Sequence, residues 1–439
     1  MTYIDQTLRA VEATAASRAP TVRMTPAERR QLLPLAGAEF AVLLGGQAWF
    51  VALTWFLIER GESGSTIGFV LMVGAIPRAV LMLVGGAITD RYRPVMVLRL
   101  ATAAMAVLIG VAVVLQINGE IPIWQLALIA ALFGATDAFF YPAVGGLIPQ
   151  IVAPERRNRA NAFVQVCDQL TQIAGPVMAG LLIARDGEVT TLSVIGSCFA
   201  LGLVALLILR AGTCSAPVHG APSVRGAIGE ALQFAWTTTD VRICLIVAAA
   251  LSLGTVGPIS VGGALLANER LGGAQSLGVL LGAFGVGAFI GVVIAATKKA
   301  QTSVRTMLAI TSAAIGIGIG VLGFSTSLVM ACAIALPTGV AAGYLGVAAT
   351  TAIQNHTPLH MQGRMSSLLM FAFFALDPVS QGFSGLLVSV GIGPLFAIAG
   401  ALMLGTAALV ALAPNRATPR VQSSIPSSPD SSPTRRTTT

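Results

Sequence analysis

The chain has 439 residues, 55% of them hydrophobic and only 10% charged, with a mean hydropathy of +0.83. Soluble domains carry about a quarter charged residues, so this composition excludes a soluble protein, a nucleic-acid-binding module and a disulfide-rich secreted domain. Twelve helical spans of roughly 20 residues use about 240 positions, which a chain of this length supplies with short loops between them. It reads as an all-α polytopic membrane protein.

Residues 1–33 are polar and dotted with arginine, and the first apolar run begins near Leu35, too long and too late for a signal-peptide core. Apolar segments follow at 35–58, 66–89, 94–117, 121–148, 160–184 and 190–210, and then at 241–267, 275–297, 303–324, 327–354, 364–390 and 393–413. Continuous runs of this length specify helices rather than barrel strands. The break at 211–240 separates a first six-helix bundle, 34–210, from a second, 241–413. Inside that break, Val224, Ile228, Ala231, Leu232, Ala235 and Trp236 recur at helical spacing, which predicts a short helix lying on the membrane surface. The tail, 414–439, is rich in Pro, Ser, Thr and Arg and lacks the apolar content to fold.

Twelve spans place both termini on one side, and the cations choose the side. Of the 26 Lys and Arg residues, 22 fall on the face that holds the termini and three (Arg60, Arg185 and Arg270) on the other, with Arg78 inside a span. The positive-inside rule makes the termini cytoplasmic and the location a cell inner, or plasma, membrane. The net charge of +8 is a topology signal rather than a nucleic-acid footprint.

The halves resemble each other at an offset of 205: Pro154, Arg159 and the run Gly180 to Ile183 correspond to Pro358, Arg364 and Gly385 to Val388, with a one-residue slip before the arginine. Two like-oriented halves imply a pseudo-two-fold axis along the membrane normal and a cavity between them.

The run Gly85 to Arg93 ends the second span, and its Gly86, Asp90 and Arg91 resemble the G-x-x-x-D-R-x-G-R signature of the major facilitator superfamily, though Arg93-Pro94 replaces the later Gly-Arg. The stretch Ala138-Phe139-Phe140-Tyr141-Pro142-Ala143, continuing through Pro149 and Pro154-Glu155-Arg156 to Asn161, resembles the exporter-type branch that includes siderophore and macrolide efflux proteins. In the fifth span, Gly175-Pro176 and Gly180 resemble the end of the family's antiporter motif, with Ala179 in place of one glycine. The resemblance implies a twelve-helix fold in two pseudo-symmetric halves, a gate at Gly86, Asp90 and Arg91, and an exporter's fifth helix, which Pro176 is expected to kink.

Polar side chains at membrane depth are functional candidates. Asn161, Gln165, Asp168 and Gln172 form one stripe on the fifth span, expected to face the cavity. Asp168, Asp137, Asp377 and Arg78 lie near mid-depth, with Glu39 nearer the cytoplasmic end of the first span. Four acids and one arginine cannot all stay ionised in apolar surroundings, so some must pair and others exchange protons. Asp168 leads as the proton-coupling candidate and Asp137 follows; Arg78 neutralises one of the acids. Gln47, Tyr141 and Gln381 complete the cavity candidates.

Other signals are discounted. Gly285 to Gly291 lies in no βαβ unit and is better read as a small-residue helix interface, as are Gly339 to Gly343. His356 and His360 flank Pro358 in a loop and share no helical face, so no metal site and no cofactor are expected. The five cysteines are scattered, without a CxxC pair.

The expected function is secondary active export of a hydrophobic or amphiphilic small organic molecule by alternating access, as proton antiport, with the bilayer, protons and the substrate as partners and a monomer as the working unit. The alternatives are an importer or lipid transporter on the same fold, and then a membrane sensor or intramembrane enzyme. Neither of the last two finds support in a folded signalling domain or in a nucleophile beside a base.

Overall fold

The computed structural model describes residues 25–91, 93–153, 156–209, 224–297, 303–358 and 361–412, all helix and short connections with no strand among them. The expectations for 1–24, for the part of the 211–240 break up to Ser223, for Pro154, Glu155 and His360, and for the tail fall outside these residues.

Helix α1 (Pro26–Glu59) starts at Thr25, whose hydroxyl accepts the Glu28 N–H while the Glu28 carboxylate accepts the Thr25 N–H, a reciprocal cap. Glu28 also lies 3.2 Å from the Arg156 guanidinium and accepts the Ala153 N–H. The N-terminal end of α1 is thereby tied to Ala153 and Arg156. Helices α2 (Gly64–Arg91) and α3 (Pro94–Ile117) follow the expected spans. Along α3, Leu98, Met105, Ile109 and Ala112 are buried while Leu100, Val107, Val111 and Val114 are exposed. Apolar side chains on the outer face are what a bilayer, rather than water, requires.

The fourth span is two helices, α4 (Ile123–Asp137) and α5 (Phe140–Ile151), where the sequence predicted one. The eleventh divides likewise into α13 (Gln362–Phe374) and α14 (Asp377–Leu387). One cause explains both. A proline ring clashes with the carbonyl four residues back and donates no hydrogen bond, and Pro142 and Pro378 reach back to Ala138 and Phe374. Pro176 behaves differently: α6 (Arg157–Ile208) runs helical through it and is interrupted at Gly187, with φ 74 and ψ −176, a conformation suited to glycine. Gly175 and Gly45's neighbour Cys198 both lie against the middle of α1, so the chain doubles back at Gly187. The expected break between the fifth and sixth spans is this reversal.

Helix α7 (Val224–Thr237) lies in the 211–240 break, with Ala235 buried and Leu232 and Trp236 exposed, and Glu230 paired with Arg364. The seventh span begins as α8 (Thr239–Leu251) and continues through π-helical turns at Ser252–Val256, Pro258–Gly262 and Ala267–Leu271, with the short α9 (Gly263–Leu266) between. Helices α10 (Ala274–Thr297), α11 (Val304–Leu322), α12 (Leu328–His356) and α15 (Ile392–Leu412) complete the chain. His356 is therefore the last residue of a helix rather than part of a loop; its Nε2 lies 3.5 Å from Asp240, which also pairs with Arg305 at 2.7 Å.

Ten described segments are long and apolar enough to cross a membrane. One of them, Ala160–Ile208, contains the Gly187 reversal, and the α13–α14 pair is shortened by its break. The first is thus two helical passages joined at Gly187, and the pair is one broken helical passage too short in each part to be counted among the ten.

Buried side chains form two clusters, one drawn mainly from α1–α6 and the other from α8–α15. The halves meet at two glycine crossings. A methyl group on Gly68 of α2 would stand 2.6 Å from the Gln381 carbonyl oxygen and 2.7 Å from the Gly385 Cα in α14. On Gly278 of α10 it would stand 2.6 Å from the Pro176 carbonyl oxygen and 3.2 Å from the Gly180 Cα in α6. Pro176 and Gln381, like Gly180 and Gly385, are 205 residues apart. The offset seen in the sequence repeat is thus a repeat of one contact. Within the second half, Gly287 and Gly291 press on the α12 backbone, and Gly339 and Gly343 press back on α10, so those glycines form a helix interface.

Candidate functional site

A cavity of about 250 Å³ opens inside the first bundle, lined by Val42, Leu43, Gly46, Gln47 and Phe50 of α1, Arg78, Met105, Phe133, Asp137, Tyr141, Gln172 and Phe199. One residue of the second half, Phe374, closes it. The α1 residues recur every three or four positions, which places them on one helical face.

At its base, the Arg78 Nε lies 3.0 Å from Asp137 Oδ2, with both side chains largely buried. The pairing has a local cause. Asp137 ends α4, where unsatisfied carbonyls make a carboxylate unfavourable, and the guanidinium offsets both that field and the loss of water. Arg78 also sits 4.9 Å from the Phe374 ring centroid and 5.8 Å from that of Phe50, within range of cation–π attraction. A cation of the first half, committed to an acid of its own half, therefore touches an aromatic ring of the other. Sequence pattern offers no reason to prefer Phe374 over Phe371 or Phe373; the α13–α14 break puts it there.

Asp377, also within the electrostatic reach of Arg78, is buried at the first turn of α14, where the helix dipole favours an acid. It accepts the Ser252 hydroxyl at 2.6 Å. Three residues on, the Ser380 hydroxyl donates to the Leu253 carbonyl and accepts the Gly257 N–H. Those are backbone groups of the π-helical segment, whose widened turn loses ordinary helical partners. Ser252 and Ser380 were not identifiable from sequence, because a lone serine in an apolar span carries no signal until the π turn is known.

Asp168 accepts from Gln172 at 3.1 Å, Gln165 at 3.3 Å and the Tyr141 hydroxyl at 3.5 Å. Of the four-residue stripe on the fifth span only Gln172 lines the cavity; Asn161 and Gln165 are exposed, and Asp168 is half-buried behind the lining, reaching it through its bonds with Gln172 and Tyr141. Arg78 pairs with Asp137, not with Asp168. Glu39 is 3% exposed, one turn before Leu43 on the α1 face that lines the cavity. Gln381 is buried at the Gly68 crossing, outside the lining of this cavity. Helix α2 continues through Gly86, Asp90 and Arg91, whose side chains lie outside the described residues.

The Gly175-Pro176 and Gly180 cluster works in two directions. A methyl on Gly175 would stand 2.5 Å from the Gln47 Cβ of α1, while Pro176 and Gly180 present backbone to Gly278 of α10. Absent side chains here let α6 touch the cavity wall and the opposite half at once. Among the described residues no group of three His, Cys, Asp or Glu could hold a metal ion.

Two helical bundles that meet on glycine crossings, the first holding a cavity with a buried ion pair, have the architecture of a polytopic membrane transporter. Residues 35–376 match the Major Facilitator Superfamily, and the chain belongs to it. It is 26% identical over 372 residues to the multidrug efflux pump Tap of Mycolicibacterium fortuitum, covering 82% of this chain and 90% of that one. Macrolide efflux protein A of Streptococcus pyogenes is 22% identical over 159 residues, 36% of this chain and 39% of its own. Among solved structures, a mutant of the nucleoside transporter NupG aligns with a TM-score of 0.72 at 10% identity, over 87% of this chain and 99% of that one. A bacterial homologue of the lysosomal transporter Spinster, inward-facing and unoccupied, aligns with a TM-score of 0.64 at 13% identity, over 89% and 96%. These likenesses show the fold. The protein is a membrane transporter, not an enzyme.

Proposed function

We propose that this protein exports hydrophobic or amphiphilic small organic molecules in exchange for protons, by alternating access between the bundles 34–210 and 241–413. The observation that carries the reading is the cavity itself: rings of Phe50, Phe133, Phe199 and Phe374 surround a few polar groups, Gln47, Gln172, Tyr141 and the Arg78–Asp137 pair. That mixture suits a mainly apolar molecule with a polar handle. Relatives named as multidrug and macrolide efflux proteins support export, as does the placement of the antiporter-like Gly175, Pro176 and Gly180 at the crossing between halves.

Asp168, half-buried behind the cavity lining and bonded to Tyr141, is the carboxylate proposed to exchange the proton; Glu39, Asp377 and Asp137 with its Arg78 complete the charge network. Coupling requires that proton and substrate differ in their affinity for the two conformers, and competition at one acid supplies that difference. Both termini are assigned to the cytoplasm, the location to the cell membrane and the working unit to a monomer, with Asp90, Arg91 and Gly86 as a cytoplasmic gate. The test is uptake into inverted membrane vesicles across a compound panel. An imposed pH gradient, acid inside, should drive accumulation that a protonophore abolishes; accumulation indifferent to the gradient would remove proton coupling.

A further inference from the structure

The two halves tie down the same end of the molecule with different cations. In the first half, the start of the first span is joined to the segment after the fourth: Glu28, in the opening turn of α1, lies 3.2 Å from the Arg156 guanidinium. In the second half, the start of the seventh span is joined to the end of the tenth: Asp240, in the opening turn of α8, lies 3.5 Å from His356 Nε2. First and seventh, like fourth and tenth, are the spans that the repeat makes equivalent. An arginine is charged at every physiological pH, whereas histidine is the side chain that changes charge between about pH 5 and 8.

The geometry around His356 gives that difference an effect. Its Nδ1 lies 2.8 Å from the Ala352 carbonyl oxygen, a group that only accepts, so Nδ1 carries the proton. A neutral ring then has a bare Nε2, whose lone pair faces the Asp240 carboxylate. Adding a proton there turns repulsion into a charged N–H facing its acceptor. Position adds to the attraction. The imidazolium stands at the C-terminal end of α12 and Asp240 at the N-terminal end of α8, where the helix dipoles favour each charge. The His356 side chain is 31% exposed, so protons reach it without entering the cavity. Charged or titratable groups on the elements packed against this end of α12 are Asp240, Arg242 and Cys244 of α8, Arg305 of α11 and Arg364 of α13. Arg305 pairs with Asp240 at 2.7 Å, Arg242 donates to the Trp236 carbonyl and Arg364 pairs with Glu230; α10 carries none among its described residues.

We propose that His356 is a proton-operated tie between the end of α12 and the start of α8. Protonated, it clamps the two helices; neutral, it lets go, while Asp240 stays with Arg305. What the tie restrains is the corner that follows, where Thr357 and Pro358 lead toward α13. That helix is held to α7 through Arg364 and carries Phe374 into the cavity wall. Acidification on the Thr25 side of the molecule therefore stiffens the second bundle, whereas Arg156 holds the first at every pH. The inference does not depend on the direction, substrate or coupling of transport.

The experiment is amide hydrogen exchange of the purified full-length protein in lipid nanodiscs at about pH 6 and pH 8, without substrate or pH gradient and corrected for intrinsic exchange. Exchange at 353–357 should be about threefold faster at the higher pH, while 150–153, the counterpart held by Arg156, changes little. His356→Arg should slow 353–357 at both pH values and remove the dependence. His356→Gln, neutral throughout, should be fast at both. The proposal is overturned if 353–357 shows no pH dependence in the unmodified protein, if the dependence survives in His356→Gln or His356→Arg, or if 150–153 changes to the same extent. His356 sits at a helix end open to solvent, so both variants are expected to fold; should one not, the other decides.

Discussion

Gly180 and Gly278 meet backbone to backbone across the two halves: a methyl on Gly180 would stand 2.6 Å from the Ala274 carbonyl oxygen and 3.1 Å from the Gly278 Cα. The Gly68–Gly385 contact repeats this geometry on the other flank of the molecule. All four glycines lie within about two turns of a chain reversal or helix end on the same side: Gly68 after the start at Gly64, Gly278 after Ala274, Gly180 before Gly187 and Gly385 before Leu387. The halves are thus closed against each other at the end opposite Thr25, where any rocking motion must separate them.

A side chain at either crossing should therefore bias the conformers. Overpacking costs about 1–3 kcal/mol, which changes a two-state ratio by about 5- to 150-fold. Gly180→Val is expected to populate conformers parted at this end and to slow turnover, with Gly385→Val acting likewise. Spin labels at Glu62→Cys and Val390→Cys in a cysteine-free background read the separation. Unchanged distances together with unchanged transport would show that the crossing does not limit cycling.

The Arg78–Asp137 pair makes a second prediction. Removing one member of a buried pair strands the other charge, at a cost of about 3–5 kcal/mol, whereas replacing both with apolar residues of similar size is often near neutral. Arg78→Met should lower the melting temperature markedly, and Arg78→Met with Asp137→Leu should recover most of the loss. The contact with Phe374 adds a check, since Phe374→Ala should alter transport with little effect on melting. A double variant no more stable than the single would mean that the two charges are solvated separately.

Element positions follow from hydropathy because a bilayer demands long apolar helices, and nothing else in the chain imitates them. The repeat could be read for a related reason: Gly180 and Gly385 must both be glycine to permit the same crossing, so their spacing survives where the surrounding side chains differ. Helix breaks were harder to place. Pro142, Pro176 and Pro378 look alike in sequence, yet only the first and last interrupt their helices. For Pro176 the neighbouring glycines are packed tightly against α1 and α10, which holds the helix in line. Partnership among charges was beyond reach for another reason. Arg78 could have faced any of four acids, and the choice of Asp137 depends on how α2 and α4 cross at Gly74 and Gly134.

Ser380 yields a third prediction. Its hydroxyl serves the Leu253 carbonyl and the Gly257 N–H together, and a buried backbone group left without a partner costs about 1–3 kcal/mol. Ser380→Ala should destabilise the second bundle and raise amide hydrogen exchange at 252–262 more than elsewhere, while Ser380→Thr should keep both bonds. Uniform exchange along the seventh span in Ser380→Ala would show that the π-helical turns hold without it.

Asp168 carries the last prediction, which separates proton coupling from binding. A coupling carboxylate must be able both to ionise and to become neutral, and an asparagine of the same shape can do neither. Half-buried Asp168 keeps access to solvent while its oxygens take the Gln165, Gln172 and Tyr141 donors, so the site tolerates an amide without stranding a charge. Asp168→Asn is expected to fold, to bind a neutral substrate, to exchange it across the membrane without an energy source, and to fail at accumulation driven by a pH gradient. Tyr141→Phe removes one donor and leaves the acid in place, so coupling should persist with a shifted pH profile. The comparison with Asp137→Asn is decisive for the assignment. Because Asp137 is held by Arg78 at 3.0 Å, its amide variant should fail in stability, by stranding the guanidinium, before it fails in coupling. Full gradient-driven export by Asp168→Asn would move the proton site to Glu39, the acid buried one turn before Leu43 on α1.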